Sequence, residues 1–371
     1  METKIAFSAK LAFTLVSLVI IIWGLYVLQG ILVPLTFSIL FAILLLPLCR
    51  LLEHWRVPRV WAITLSVVVA IALLLSLIYL ASAQIASLTD ELPNLTSKVT
   101  RWTGKLQGFV SKNFHVSRAK QASEIQKYVT DALKNSASTV SNIFATTTNT
   151  LANLALIPIF VFFFLLYRDF FKRFFYQLFV GSPKEKLDGI FKRIYEVVQG
   201  YMLGLVLVIG IVGVLNTIGL LILGVDYAIF FGFFAAFLIL IPYIGLLIGS
   251  VLPALLTLIT HESPWHALGV LGIFGFVQVL EGNFITPNIV GSKISINPLA
   301  AMIVLILGGQ LWGISGLILS LPLTAILKVI FDAIESLKPF GFLLGEAEPP
   351  HPPVVDIKQA VDDLAVEIKS N

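Results

Sequence analysis

The chain has 371 residues, of which 58% are hydrophobic and 12% charged, with a formal net charge of +4. A soluble domain carries about 25% charged residues and cannot hide this much apolar surface, which excludes a water-soluble globular fold and leaves lipid as the solvent. The small dispersed charge excludes a nucleic-acid patch, and the single cysteine, Cys49, excludes an intrachain disulfide.

A spanning helix needs about 20 mostly apolar residues. The first candidate, Leu11–Val33, follows Lys4 and Lys10. It is longer than the roughly 7–15-residue core of a cleaved signal and lacks a small-residue cleavage site, so it reads as a retained span. Leu35–Cys49 is a marginal second span and Val60–Ala83 a third. Between the last two lie Arg50, Arg56 and Arg59. Residues 84–148 form a long insert in which Ile85, Leu88, Leu92, Leu95, Val99, Trp102, Leu106 and Phe109 recur at spacings of three and four. That is a heptad seam, suited to a local helical hairpin or an intersubunit bundle. A second amphipathic stretch runs through Ile125, Val129, Leu133, Val140 and Ile143.

Leu151–Tyr167 is the fourth span, followed by Arg168, Lys172, Arg173, Lys184, Lys186, Lys192 and Arg193. The two basic clusters belong in the cytoplasm, which places the N-terminus there and the 84–148 insert outside. The charged, amphipathic segment 168–200 reads as a helix lying in the cytoplasmic interface. The second half offers Tyr201–Leu223, Tyr227–Ile241, Leu246–Thr260, Ala267–Leu280, Leu299–Gln310 and Ile314–Phe331. Several are short. Pro242 and Gly245 interrupt one pair, and Gly308, Gly309, Gly313 and Gly316 interrupt another. Such breaks make tight turns or re-entrant hairpins, and re-entrant backbone needs protein or water cover. From Glu346 the chain turns Pro-rich, and 346–371 reads as a cytoplasmic tail. The expected fold is therefore all-α and polytopic, with about eight spans and up to ten embedded segments. Its divisions are spans at 1–83, the insert at 84–148, a transport core at 149–345 and the tail.

Enzyme chemistry finds no footing. Gly313-Ile-Ser-Gly316 resembles an intramembrane serine-protease motif, but none of His54, His115, His261, His266 and His351 lies inside a span to act as base. His261 and His266 are five apart with a proline between, so they do not share a helix face as a metal pair. No P-loop and no cofactor motif is present. Ionisable groups at membrane depth are the better candidates. Glu281 leads them, ending the run Ala267–Leu280 within Gln278-Val-Leu-Glu-Gly-Asn-Phe-Ile-Thr-Pro287. Gln278 and Glu281 are i, i+3 on one helix face. Gly282 and Pro287 are expected to break the helix and free backbone groups near Asn283. A carboxylate, amides and freed carbonyls suit a small polar solute or a monovalent cation; the plainer alternative is a helix-end residue at the interface. Asn216 and Asn297 are secondary candidates. Pro242, Gly245, Pro287, Gly309, Gly313 and Gly316 are the candidate breaks or gates, because paired discontinuous segments mark transporter binding sites.

At these residues the sequence resembles the autoinducer-2 exporter (AI-2E) family. The resemblance rests on Gln199-Gly-Tyr201, Leu223-Gly-Val-Asp-Tyr-Ala228, Ile241-Pro-Tyr-Ile-Gly245, Pro253, Gln278, Glu281-Gly-Asn283, Pro287, Gly291, Asn297-Pro298, Gly309, Leu311-Trp-Gly-Ile-Ser-Gly316 and Pro322. It covers about residues 10–340. It implies a bacterial cytoplasmic-membrane transporter, homo-oligomeric, exporting autoinducer-2 or another small polar solute, or exchanging sodium for protons. A non-transporting oligomeric scaffold or pore built on the 84–148 insert is the reading from a different class.

Overall fold

The structure is a computed structural model that describes residues 7–76, 79, 151–181, 183–240, 244–261, 263 and 265–346. The heptad seam, the second amphipathic stretch, Pro242 and the tail beyond Glu346 lie outside the described residues. Within them the chain is helical, with one isolated antiparallel bridge between Ile296 and Gly345. It is an all-α polytopic membrane protein. Among the described residues five helices are long and apolar enough to cross a bilayer, with shorter apolar ones beside them.

Helix α1 is Phe7–Val27 and α2 is Gln29–His54. The expected first span, Leu11–Val33, is therefore divided at Leu28. The backbone there leaves helical geometry, and the Leu25 carbonyl accepts the Trp312 indole N–H at 3.0 Å. Helix α3 runs over Arg59–Ser76, α4 over Leu151–Leu166 and α5 over Arg168–Leu178. Ala42, Cys49, Ile63, Val67, Val161 and Leu165 bury a common core between α2, α3 and α4.

The segment read as one interfacial helix proves to be two pieces. Helix α5 ends at Leu178, and α6, Lys184–Ile222, starts afresh after Pro183. Pro183 sits where its missing N–H costs no helical hydrogen bond. The polar stretch to Gln199 is then the projecting first part of α6, whose length exceeds the roughly 20 residues needed to cross lipid. Helix α5 buries none of its residues and exposes Phe170, Phe174 and Leu178.

Helix α6 is the axis of the second half. Its glycines let neighbours approach closely, as small residues do in membrane helices. Gly213 meets Phe233, and Gly232 meets Thr217, so α6 packs tightly on α7, Ala228–Leu238. Helix α8 is Ile244–Thr260 and α9 is Trp265–Leu280. After α9 the helix continues as two π-wound segments, Glu281–Ile285 and Pro287–Gly291, then the short α10, Ser292–Ile294. Helix α11 spans Pro298–Ala333 and α12 spans Lys338–Leu344.

Two of these elements are hairpins. At 11 residues α7 is only about 16 Å long, too short for a hydrocarbon core of about 30 Å. It reverses into α8, with Gly249 packed on Ala235 and Gly245 against the Leu238 carbonyl. Inside α11, Trp312 and Gly313 leave helical geometry, Gly313 at φ 59° and ψ −137°. The arms fold back so that Gly308 meets Gly316 and Ser320, and Gly309 meets Leu317. The arm from Pro298 to Leu311 is about 21 Å long, again short of a crossing. The α7–α8 hairpin opens at the face where His261 approaches Gly224. The α11 hairpin opens at the opposite face, where Asp332 packs on Gly341 of α12. The two therefore enter from opposite sides.

Candidate functional site

The buried stripe of α9 is Ala267, Val270, Phe274 and Val277. These recur at three and four, the period of one helix face. The next position on the stripe is Glu281, and it is 7% exposed. Its side chain follows the face that α9 turns toward α6.

Depth follows from register. Ile273 packs on Gly219 and Val290 packs on Gly204, so α9 and its extension run antiparallel to α6. Glu281 lies midway between Ile273 and Val290. It stands level with the middle of the apolar part of α6, near Val212. The alternative of an interfacial helix-end residue does not hold: Glu281 is a mid-depth carboxylate.

Two neutral groups hold it. The Gln278 amide donates to Oε2 at 2.6 Å. The Thr286 hydroxyl donates to Oε1. Thr286 also donates its backbone N–H to the Glu281 carbonyl, an i→i+5 bond. No ion pair reaches Glu281 among the described residues.

The expected break at Gly282 and Pro287 is not a break. Proline inside an α-helix lacks the N–H and its ring clashes with the carbonyl four residues back. Widening the turn to π winding accommodates Pro287 and keeps the helix going. Carbonyls in this stretch are met by side-chain amides. Asn283 Nδ2 donates to the Val279 carbonyl at 2.9 Å, and Asn288 Nδ2 donates to the Phe284 carbonyl at 2.6 Å. Asn283 is thus on the exposed outer side of the turn, not beside the carboxylate.

The remaining candidates separate. Asn297 caps α11: its Oδ1 accepts the Ala300 N–H at 2.8 Å. Its amide donates to the Leu343 carbonyl at 2.8 Å and the Gly345 carbonyl at 2.9 Å. It is a structural tie between α11 and the segment after α12. Asn216 is buried on the α6 stripe that carries Val208 and Val212. Its Oδ1, and the neighbouring Thr217 hydroxyl, find no partner among the described residues. Gly309, Gly313 and Gly316 all belong to the α11 reversal, and Gly245 to the α7–α8 turn. The structure therefore gathers Gln278 and Glu281 and adds Thr286, which sequence reading passed over. An α-helical period places i+5 on another face; the Thr before a mid-helix Pro was the available signal.

A charged network lies at the face where α2, α3 and α4 end. Arg59 donates to the Leu165 and Leu166 carbonyls at 3.1 and 2.6 Å and pairs with Asp169 at 2.7 Å. Arg168 pairs with Glu53 at 2.8 Å. The Arg59 guanidinium holds the Asp169 carboxyl below the usual carboxylate range.

The AI-2E family transporter model matches residues 15–336. The chain is 27% identical to the AI-2 transport protein TqsA of Escherichia coli K12 over 339 residues, 91% of this chain and 96% of that one. It is 28% identical to the putative transport protein YueF of Bacillus subtilis over 294 residues, 77% of this chain and 79% of that one. It is 26% identical to the putative transport protein YhhT of Escherichia coli K12 over 338 residues, 90% and 94% of the two chains. Opposed hairpins of broken helix beside a buried mid-depth carboxylate are the parts from which transporters are made, and with a family match over nearly the whole chain this protein belongs to the AI-2E family of transporters.

Proposed function

We propose that this transporter is a secondary carrier that exports a small polar solute of the autoinducer-2 type across a bacterial cytoplasmic membrane. Glu281 is the group that contacts the solute or carries a coupling proton. The supporting observation is the mid-depth Glu281 carboxylate held, among the described residues, by the neutral groups of Gln278 and Thr286. A charge in lipid is costly without a counter-charge. Neutral donors leave that role to a proton, a cation or the cargo. The name of one relative specifies AI-2 transport, which makes autoinducer-2 the first probe. The α7–α8 and α11 hairpins are the elements that move. The face bearing Arg59, Arg168 and Lys172 is cytoplasmic by the positive-inside rule, with both termini on that side.

The test is flux in proteoliposomes under an imposed proton gradient, with autoinducer-2 and Na⁺ as separate probes. Wild-type protein moves one of them, and Glu281→Gln abolishes that flux. Wild-type flux in Glu281→Gln would sink the reading. A Na⁺ pulse that releases protons, with no autoinducer-2 movement, selects sodium/proton exchange. That second reading is favoured by the Thr286 hydroxyl oxygen beside the carboxylate, the ligand type hard cations prefer. If a chain lacking 90–140 loses function while Glu281→Ala keeps it, the scaffold reading replaces both.

A further inference from the structure

Thr286 reaches Glu281 because the helix between them is wound wide. In an α-helix five residues turn the chain by about 500°, so Thr286 would face about 140° away from Glu281. In the π turn the i→i+5 bond stacks the two residues, and Thr286 bonds residue 281 twice. Its N–H meets the carbonyl and its hydroxyl meets the carboxylate. Pro287 sets the wide winding, because it has no N–H to give and its ring crowds an α-helical turn. The second π segment lies against Gly204 of α6 through Ile289 and Val290, and Lys293 of α10 lies against Gly200. π turns inside α-helices recur at functional sites.

We propose that Thr286 is the positioning residue for Glu281 in the transport cycle, held against the carboxylate by the π turn. The hydroxyl binds Oε1 and so fixes the carboxylate that a cation, a proton or a polar solute hydroxyl would meet. This rests on the reading of Glu281 as the transport carboxylate. It adds that one i+5 hydroxyl holds that group between turnovers. Asn283 and Asn288 each add a side-chain donor to a carbonyl four residues back, at Val279 and Phe284.

The experiment compares Thr286→Val, Thr286→Ser and Glu281→Gln in the full chain. One readout is proteoliposome flux of whichever probe, autoinducer-2 or Na⁺, the wild type moves. The other is the infrared carboxyl band of purified protein, assigned to Glu281 by its absence from Glu281→Gln. Valine keeps the β-branched shape and removes only the hydroxyl. Thr286→Val is expected to lower turnover about tenfold, the effect of one hydrogen bond to a charged group, and to shift the Glu281 band. Thr286→Ser restores both. An unshifted band in Thr286→Val, or wild-type turnover there beside an inactive Glu281→Gln, would overturn the inference and leave the transport reading standing. Wild-type flux in Glu281→Gln would overturn the transport reading itself. The band needs no flux, so the contact is judged even where neither probe moves.

Discussion

At the residue scale the structure sorts polar side chains that look alike in sequence. Asn297 and Glu281 both stand beside helix-breaking residues. Asn297 uses its Oδ1 as the α11 cap and both amide hydrogens on the carbonyls of Leu343 and Gly345. Replacing it separates these duties. Asn297→Asp keeps the cap acceptor and sets a carboxylate against two carbonyls. Asn297→Ala loses the cap as well, at about 1 kcal/mol. Amide exchange over Lys338–Gly345 is expected to quicken in both variants, with the larger loss of thermal stability at the α11 start in Asn297→Ala. Unchanged exchange in Asn297→Asp would show that the amide does not hold the segment. Glu281 was legible as a candidate because an ionisable group stood next to an apolar run. Its burial was legible too, since it continues the stripe of Ala267, Val270, Phe274 and Val277. Thr286 was not, because an α period puts it on another face and only the wide turn brings it round.

At the element scale, three Gly- and Pro-bearing interruptions take three forms. Gly245 stands at the start of the second arm of a hairpin, against the Leu238 carbonyl of the first. The stretch Gly308–Gly316 reverses within α11. The stretch Gly282–Pro287 widens and runs on. Composition marks all three as breaks and does not say which reverses. What decides is whether small residues face each other across the turn. A Cβ on Gly316 would lie 1.8 Å from the Gly308 carbonyl oxygen, so these arms touch backbone to backbone. In the third case no arms face each other, and the π winding with its i→i+5 bond from Thr286 to Glu281 carries the helix past the proline. Gly316→Ala is therefore expected to force the α11 arms apart and to lower the unfolding temperature of detergent-solubilised protein. Gly313→Ala costs about 1–3 kcal/mol through its left-handed backbone alone. Gly272→Ala, where a Cβ meets nothing within 4 Å, is the control and should be silent or slightly stabilising. Equal behaviour of Gly316→Ala and Gly272→Ala would mean that the arms are not held by that contact.

At the scale of the whole molecule, charge gathers at one face. Glu53, Arg59, Arg168 and Asp169 join the ends of α2, α3, α4 and α5 there, while Lys172 pairs with Asp188 to bring α5 onto α6. The network ties the α2–α4 core to the axis helix. Its two kinds of contact respond differently to acid. Arg59 on the Leu165 and Leu166 carbonyls caps the end of α4 at any pH at which the arginine is charged. Arg59 on Asp169 depends on the carboxylate. Asp169 is held below its ordinary value of 3.8, so the folded protein takes up this proton less readily than the unfolded chain. The pair's contribution is fully present above 3.8 and is lost as the pH falls through the lower folded value. Asp169 is 59% exposed, so the contribution is small, about 0–1 kcal/mol. Asp169→Asn should thus be slightly less stable than wild type at neutral pH, and the two should converge in acid. Arg59→Ala strips the α4 carbonyls of their donors, and its deficit should be larger and persist in acid. Thermal unfolding of the three proteins in detergent across the acid range measures both slopes. Parallel curves for wild type and Asp169→Asn down to the acid limit would assign the tie to the carbonyl cap and remove Asp169 from it.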